Sequence, residues 1–95
     1  MDLNKIYNFE YLKNEAEEFV KAALGKEMEK DDTICDCDDC ILDIVGLTLN
    51  NIRPLYKTSL KGAVYTTVPD EKYLESLERA VKLAIKKIKA NPSHN

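Results

Sequence analysis

The chain has no tryptophan, only three glycines and three prolines, and a single histidine among its 95 residues. Three glycines leave no glycine-rich loop to cradle a phosphate, and neither G-x-S-x-G nor H-E-x-x-H occurs. The one histidine stands at position 94, so the commonest general base is missing from the body of the chain and hydrolytic or transfer catalysis is not expected. No run of about 18 apolar residues is present to span a membrane. The start, Met1-Asp2-Leu3-Asn4-Lys5, lacks the apolar stretch of a secretory signal, and the expectation is a cytoplasmic protein. There is no internal repeat, no linker rich in proline or glycine, and no low-complexity tract apart from an acidic segment that carries the cysteines.

What is present, 44% hydrophobic and 33% charged residues, is the balance of one globular domain over residues 1–95, with its core between about 8 and 90. A domain of this size buries only about 60–65% of its unfolded surface, so a metal, a ligand or a second subunit adds needed stability. The net charge is −3, from 14 bases and 17 acids, which gives no general attraction to nucleic acid or an anionic membrane; direct DNA binding is not expected. The charge is unevenly placed. Residues 1–45 carry 13 acids and 5 bases, whereas residues 46–95 carry 4 acids and 9 bases. An anionic ligand should prefer the second half; the plainer alternative is that the two halves attract each other.

The apolar pattern predicts an all-α protein, mainly, with three helices and a short strand or hairpin between the second and third. From Asn8, taken as a cap, Phe9, Leu12, Ala16, Phe19, Val20, Ala23 and Leu24 recur at three- and four-residue steps; Gly25 can end or fray that helix, and residues 26–30 can add a last turn before the polar Asp31. A second helix should start near Asp38, whose carboxylate can accept from open N–H groups, and stop before Pro54. Its apolar residues, Ile41, Leu42, Ile44, Val45, Leu47, Leu49 and Ile52, surround much of the cylinder, as suits a central helix or one shared with a second subunit. Val64-Tyr65-Thr66-Thr67-Val68 reads as a strand, with Leu55-Tyr56-Lys57-Thr58 as its hairpin partner or a copy of itself across a homodimer. Pro69-Asp70 opens a third helix, whose stripe is Tyr73, Leu74, Leu77, Ala80, Val81, Ala84, Ile85 and Ile88 and which Pro92 ends.

The densest chemical signal is Cys35-Asp36-Cys37-Asp38-Asp39-Cys40, written into a helix N-terminus. Cys37 and Cys40 stand one turn apart, Cys35 can fold back, and the helix dipole favours the thiolate that binds metal. Three sulfur ligands suit Zn2+ and leave its fourth position to another group. Two other readings stay open: three half-buried thiols that only pack, or a Cys37/Cys40 redox pair, which the six acids between Asp31 and Asp43 disfavour. A second candidate site is Arg53, Tyr56, Lys57, Lys61 and Tyr65, where cations and tyrosines together suit a nucleotide. Tyrosines at the edge of a core are also ordinary packing.

Cys35-x-Cys37-x-x-Cys40, followed by Leu42-Asp43-Ile44, Leu47-x-Leu49-Asn50, Pro54-x-Tyr56 and Gly62-x-Val64-Tyr65, resembles the late competence development protein ComFB family over about residues 8–88. The resemblance implies a small, mostly helical bacterial homodimer without catalytic activity, whose cysteine cluster holds zinc and which binds a cyclic dinucleotide messenger, cyclic di-GMP or cyclic di-AMP. Cys35, Cys37 and Cys40 match the family's cysteine motif, and Tyr56 and Tyr65 fall on its landmarks; Arg53, Lys57 and Lys61 are chosen on electrostatic grounds. The chain offers no fourth cysteine, so the fourth zinc ligand is expected from outside residues 1–90. The alternative function is a purely structural zinc-bound interaction protein with no nucleotide ligand.

Overall fold

The computed structural model describes residues 1–57 and 69–92; the expected strand 64–68, and with it Lys61 and Tyr65, lies outside the described residues. The chain is mainly helical. It runs α1 (Leu3–Ile6), β1 (Lys13–Asn14), α2 (Ala16–Lys30), α3 (Asp38–Leu49), β2 (Tyr56–Lys57) and α4 (Glu71–Ala90).

The three long helices pack against one another in every pairing. Their shared core takes Val20 and Leu24 from α2, Ile34 from the following loop, Ile44 from α3, and Leu77, Val81, Ala84 and Ile85 from α4. A smaller cluster of Ala16, Leu55 and Tyr73 closes the other end, with Phe19, Leu49 and Ile52 packed against both. Burying each of the valine, leucine and isoleucine side chains among these contributes roughly 1.5–3 kcal/mol, so the helices hold by their facing stripes and not by intrinsic propensity. The α4 stripe follows the sequence pattern, and Asp70 caps it by accepting from the Tyr73 N–H at 2.8 Å.

Two expectations, the start of α2 and the cap of α3, need correction. The first long helix does not start at Asn8. Phe9 and Leu12 are about half exposed, Asn8 accepts from the Glu10 N–H in a local turn, and the helix begins at Ala16. The apolar period ran on through residues that are not helical because nothing in it marks where β1 intervenes. Past Gly25, α2 continues to Lys30, so residues 26–30 do add its last turn before Asp31; one mid-helix glycine costs about 1 kcal/mol against alanine, too little to break a packed helix. The cap of α3 is Cys37, whose sulfur accepts from the Cys40 N–H at 3.4 Å, and not Asp38, which lies inside the first turn. Tyr56–Lys57, expected as a strand, pairs antiparallel with Lys13–Asn14, and its expected partner 64–68 lies outside the described residues.

Asn14 holds that junction. Its Oδ1 accepts from the Ala16 N–H at 3.1 Å, satisfying an open donor at the start of α2, and from the Leu55 N–H at 2.8 Å across 41 residues of sequence. The Glu15 N–H returns a bond to the Leu55 carbonyl at 2.8 Å. One side chain therefore sets the α2 N-terminus and the course of the loop after α3 together.

Candidate functional site

The thiol cluster is built by the turn that follows α2. Asp31 closes the helix with its N–H on the Glu27 carbonyl, and its carboxylate accepts from the Thr33 N–H at 2.9 Å and from the Thr33 hydroxyl at 2.5 Å. Lys89 near the end of α4 donates to the same carboxylate at 2.5 Å. The Lys89 and Thr33 bonds hold the Asp31 carboxyl down at about 2, well below the usual carboxylate range. The turn drives Ile34 into the core and brings Cys35 alongside α3. Cys37 then adopts extended backbone (φ −69°, ψ 154°) as the cap, and Cys40 is fully buried one turn later.

The three sulfur atoms lie within 4.8 Å of one another, with Cys35 and Cys37 half-buried. Ligands about 2.3 Å from a tetrahedral zinc sit about 3.8 Å apart, so an inward shift of an ångström or less would place all three sulfurs on one ion. The donor set fits: three soft sulfurs, one already receiving a helix N–H that orients it. Among the described residues this is the one group of three or more Cys, His, Asp or Glu side chains close enough to share an ion. The acids Asp36, Asp38 and Asp39 are exposed around it and favour a cation there.

At the other end of α3, about 18 Å away at 1.5 Å rise per residue over its twelve residues, lie the described members of the second candidate site. Arg53 is exposed, and its guanidinium lies 5.2 Å from the centroid of the Tyr73 ring. The Tyr73 hydroxyl donates to the Arg53 carbonyl at 2.8 Å; burial pushes the Tyr73 phenol up, while the Arg53 charge acts the other way. Tyr56 is 52% exposed, a ring face available for stacking. Lys57 forms an ion pair with Glu15. Together with Glu17 and Glu18, that pair borders a depression of about 660 Å³ beside Tyr56. The sequence pattern had placed no acid among these cations; the β1–β2 pairing supplies three. Arg53 thus lies against Tyr73, while Tyr56 and Lys57 border the depression with Glu15; all three follow the end of α3 opposite the thiols.

Sequence reading missed Asn14, the Asp31–Lys89 contact and the Tyr73–Arg53 contact. For Asn14 a signal existed: an asparagine two residues before Ala16-Glu17-Glu18 is a helix-start pattern, masked by the apolar period that seemed to begin earlier. The other two join residues 58 and 20 apart, for which no local pattern exists.

A small three-helix domain with a three-thiol cluster capping its central helix is the class that fold and site define. The family model described as late competence development protein ComFB matches residues 13–92, and the chain belongs to that family. Comparison with curated proteins and with solved structures returns no match. Among the described residues no helix is long and apolar enough to cross a membrane.

Proposed function

We propose that the chain is a single-domain, non-enzymatic regulatory module of the cytoplasm that binds a cyclic dinucleotide as a homodimer, with zinc on Cys35, Cys37 and Cys40 fastening its scaffold. The observation that carries this reading is the division of α3 between its two ends. Thiols ringed by carboxylates stand at the N-terminus, and an exposed tyrosine between Arg53 and Lys57 follows the C-terminus. The carboxylates at the first end attract a metal dication and repel phosphate; at the second end Arg53 and Lys57 offer cations to a phosphate, which must there displace Glu15 from Lys57. Lys61 and Tyr65 complete the proposed nucleotide face. A symmetric two-phosphate ligand would draw on the same cations from both subunits. Dimerisation has support in the apolar side chains the monomer leaves outside: Leu42 on α3 is 68% exposed, and Leu83 on α4 is 50% exposed.

Titration calorimetry of the full chain with cyclic di-GMP and cyclic di-AMP tests the reading. Heat of binding is expected at tens of micromolar, and Arg53→Ala should weaken it by roughly 1.5–3 kcal/mol where the charge-assisted bond is desolvated. Light scattering should give the mass of two chains. Absence of heat with both nucleotides selects the second reading, a structural zinc-bound interaction protein. One observation favours that alternative: Lys57 already has Glu15 as its partner, and a phosphate must displace it.

A further inference from the structure

Residues 1–12 carry six large apolar side chains, Leu3, Ile6, Tyr7, Phe9, Tyr11 and Leu12, and the fold buries none of them. Each is between 46% and 59% exposed, and none joins either core cluster. Half-exposed side chains of this size together present on the order of 500 Å² of apolar surface, as much as a monomer usually leaves in its largest patch. Leu42 and Leu83 stand singly by contrast, Leu42 beside the exposed Asp39 and Asp43, Leu83 beside the exposed Arg79 and Lys87. The segment also lies outside residues 13–92, which the family model matches.

Ile6, Tyr7 and Phe9 border one depression of about 660 Å³, lined throughout by residues 4–10. Local bonds hold this shape: the Tyr7 N–H donates to the Leu3 carbonyl at 2.8 Å, and the Leu12 N–H to the Phe9 carbonyl at 3.0 Å. A surface ordered in advance loses less entropy on association. Charge indicates what covers it. Asp2 and Glu10 balance Lys5 and Lys13, which gives neither nucleic acid nor an anionic lipid surface a basic footprint. Across a two-fold axis the same balance lets acids of one copy face bases of the other. Two such segments together bury on the order of 1,000 Å², the area a specific interface requires. We propose that residues 3–12 form the contact surface between two copies of this chain, with Ile6, Tyr7 and Phe9 of each copy entering the depression of the other. The segment ends at Leu12 on the wall of the depression that Tyr56 and Lys57 border, so the pairing is continuous with the proposed nucleotide edge. The inference rests on the homodimer of the proposed function and needs neither its metal nor its nucleotide.

The test is the mass of the full chain in solution, by sedimentation equilibrium over a concentration series. The wild type should have the mass of two chains at tens of micromolar. Ile6→Glu/Phe9→Glu should weaken association by at least about tenfold and shift the mass toward one chain. Its helical circular dichroism should match that of the wild type, because neither side chain reaches the core. Leu42→Glu/Leu83→Glu should keep the two-chain mass. A dimer that persists in Ile6→Glu/Phe9→Glu would overturn the assignment to this segment while leaving the homodimer standing, and loss of the dimer in Leu42→Glu/Leu83→Glu would move the surface to α3 and α4 instead. A wild type with the mass of one chain at every concentration would overturn both the homodimer and its surface. Sedimentation with vesicles of anionic lipid should leave the wild type in the supernatant; pelleting that Ile6→Glu/Phe9→Glu abolishes would make a lipid surface the occupant and overturn the proposal.

Discussion

Asn14→Ala removes one oxygen and leaves two N–H groups without their partner, those of Ala16 and Leu55. The first loss is that of a helix-start acceptor, about 0.5–2 kcal/mol. The second is an amide in a half-buried loop, about 0.5–1.5 kcal/mol. Asn14 is itself half-buried, so water can reach part of what is exposed, and the sum should fall near 1–3 kcal/mol. Against a total of about 5–15 kcal/mol this is a large fraction. The melting temperature should drop by roughly 4–8 °C per kcal/mol in a domain of this size. Urea unfolding followed by helical circular dichroism gives the free energy, and hydrogen exchange gives its location. Exchange at the Leu55 amide should accelerate in Asn14→Ala more than at amides in the middle of α3. Asn14→Asp keeps an acceptor at a helix start, where negative charge is favoured, and should recover most of the loss. A cost below about 0.5 kcal/mol for alanine, or equal costs for alanine and aspartate, would refute the dual role of that oxygen.

Four further outcomes are expected. Ile44→Ala, at a side chain only 1% exposed in the centre of the three-helix core, should cost about 2–5 kcal/mol in urea unfolding. Gly25→Ala should stabilise by roughly 0.4–1 kcal/mol, since an added methyl carbon at this exposed mid-helix position meets nothing within 4 Å. The Asp31 carboxyl, lowered from its ordinary 3.8 to about 2, stabilises the folded state above pH 4 and loses that contribution as pH falls from 4 to 2; the stability difference between wild type and Asp31→Asn, measured along pH, should shrink over that window and not above it. Metal analysis of the chain purified without added zinc should find close to one equivalent, and Cys37→Ser, which alters both the cap of α3 and one ligand, should remove most of it.

The helical class, α3 from its acidic start to its stop before Pro54, and α4 from Asp70 to Pro92 were all legible in the sequence, because these features are local. Period, caps and proline geometry act within a turn or two of chain. The thiol cluster was legible for the same reason: three cysteines within six residues at a helix start can hardly avoid one another. The start of α2 was not, since Phe9 and Leu12 keep the helical spacing yet face outward. The apolar residues that stay exposed, Leu42 and Leu74 among them, were equally hidden, because spacing records which residues share a face and not whether anything covers it.

By itself the sequence determined the helical class, α3 and α4 with the Asp70 cap, and the grouping of the three cysteines, each a matter of neighbours along the chain. Only the tertiary structure decided the rest. It set Glu15 against Lys57, turned the Tyr73 ring under Arg53, hung two segments on Asn14, and tied the end of α4 to the loop after α2 through Asp31 and Lys89. The physical reason is that these contacts join groups 20 to 58 residues apart and exist only once the apolar stripes of α2, α3 and α4 have closed on one another. The burial of those stripes supplies the free energy, and the polar contacts take the positions it leaves them.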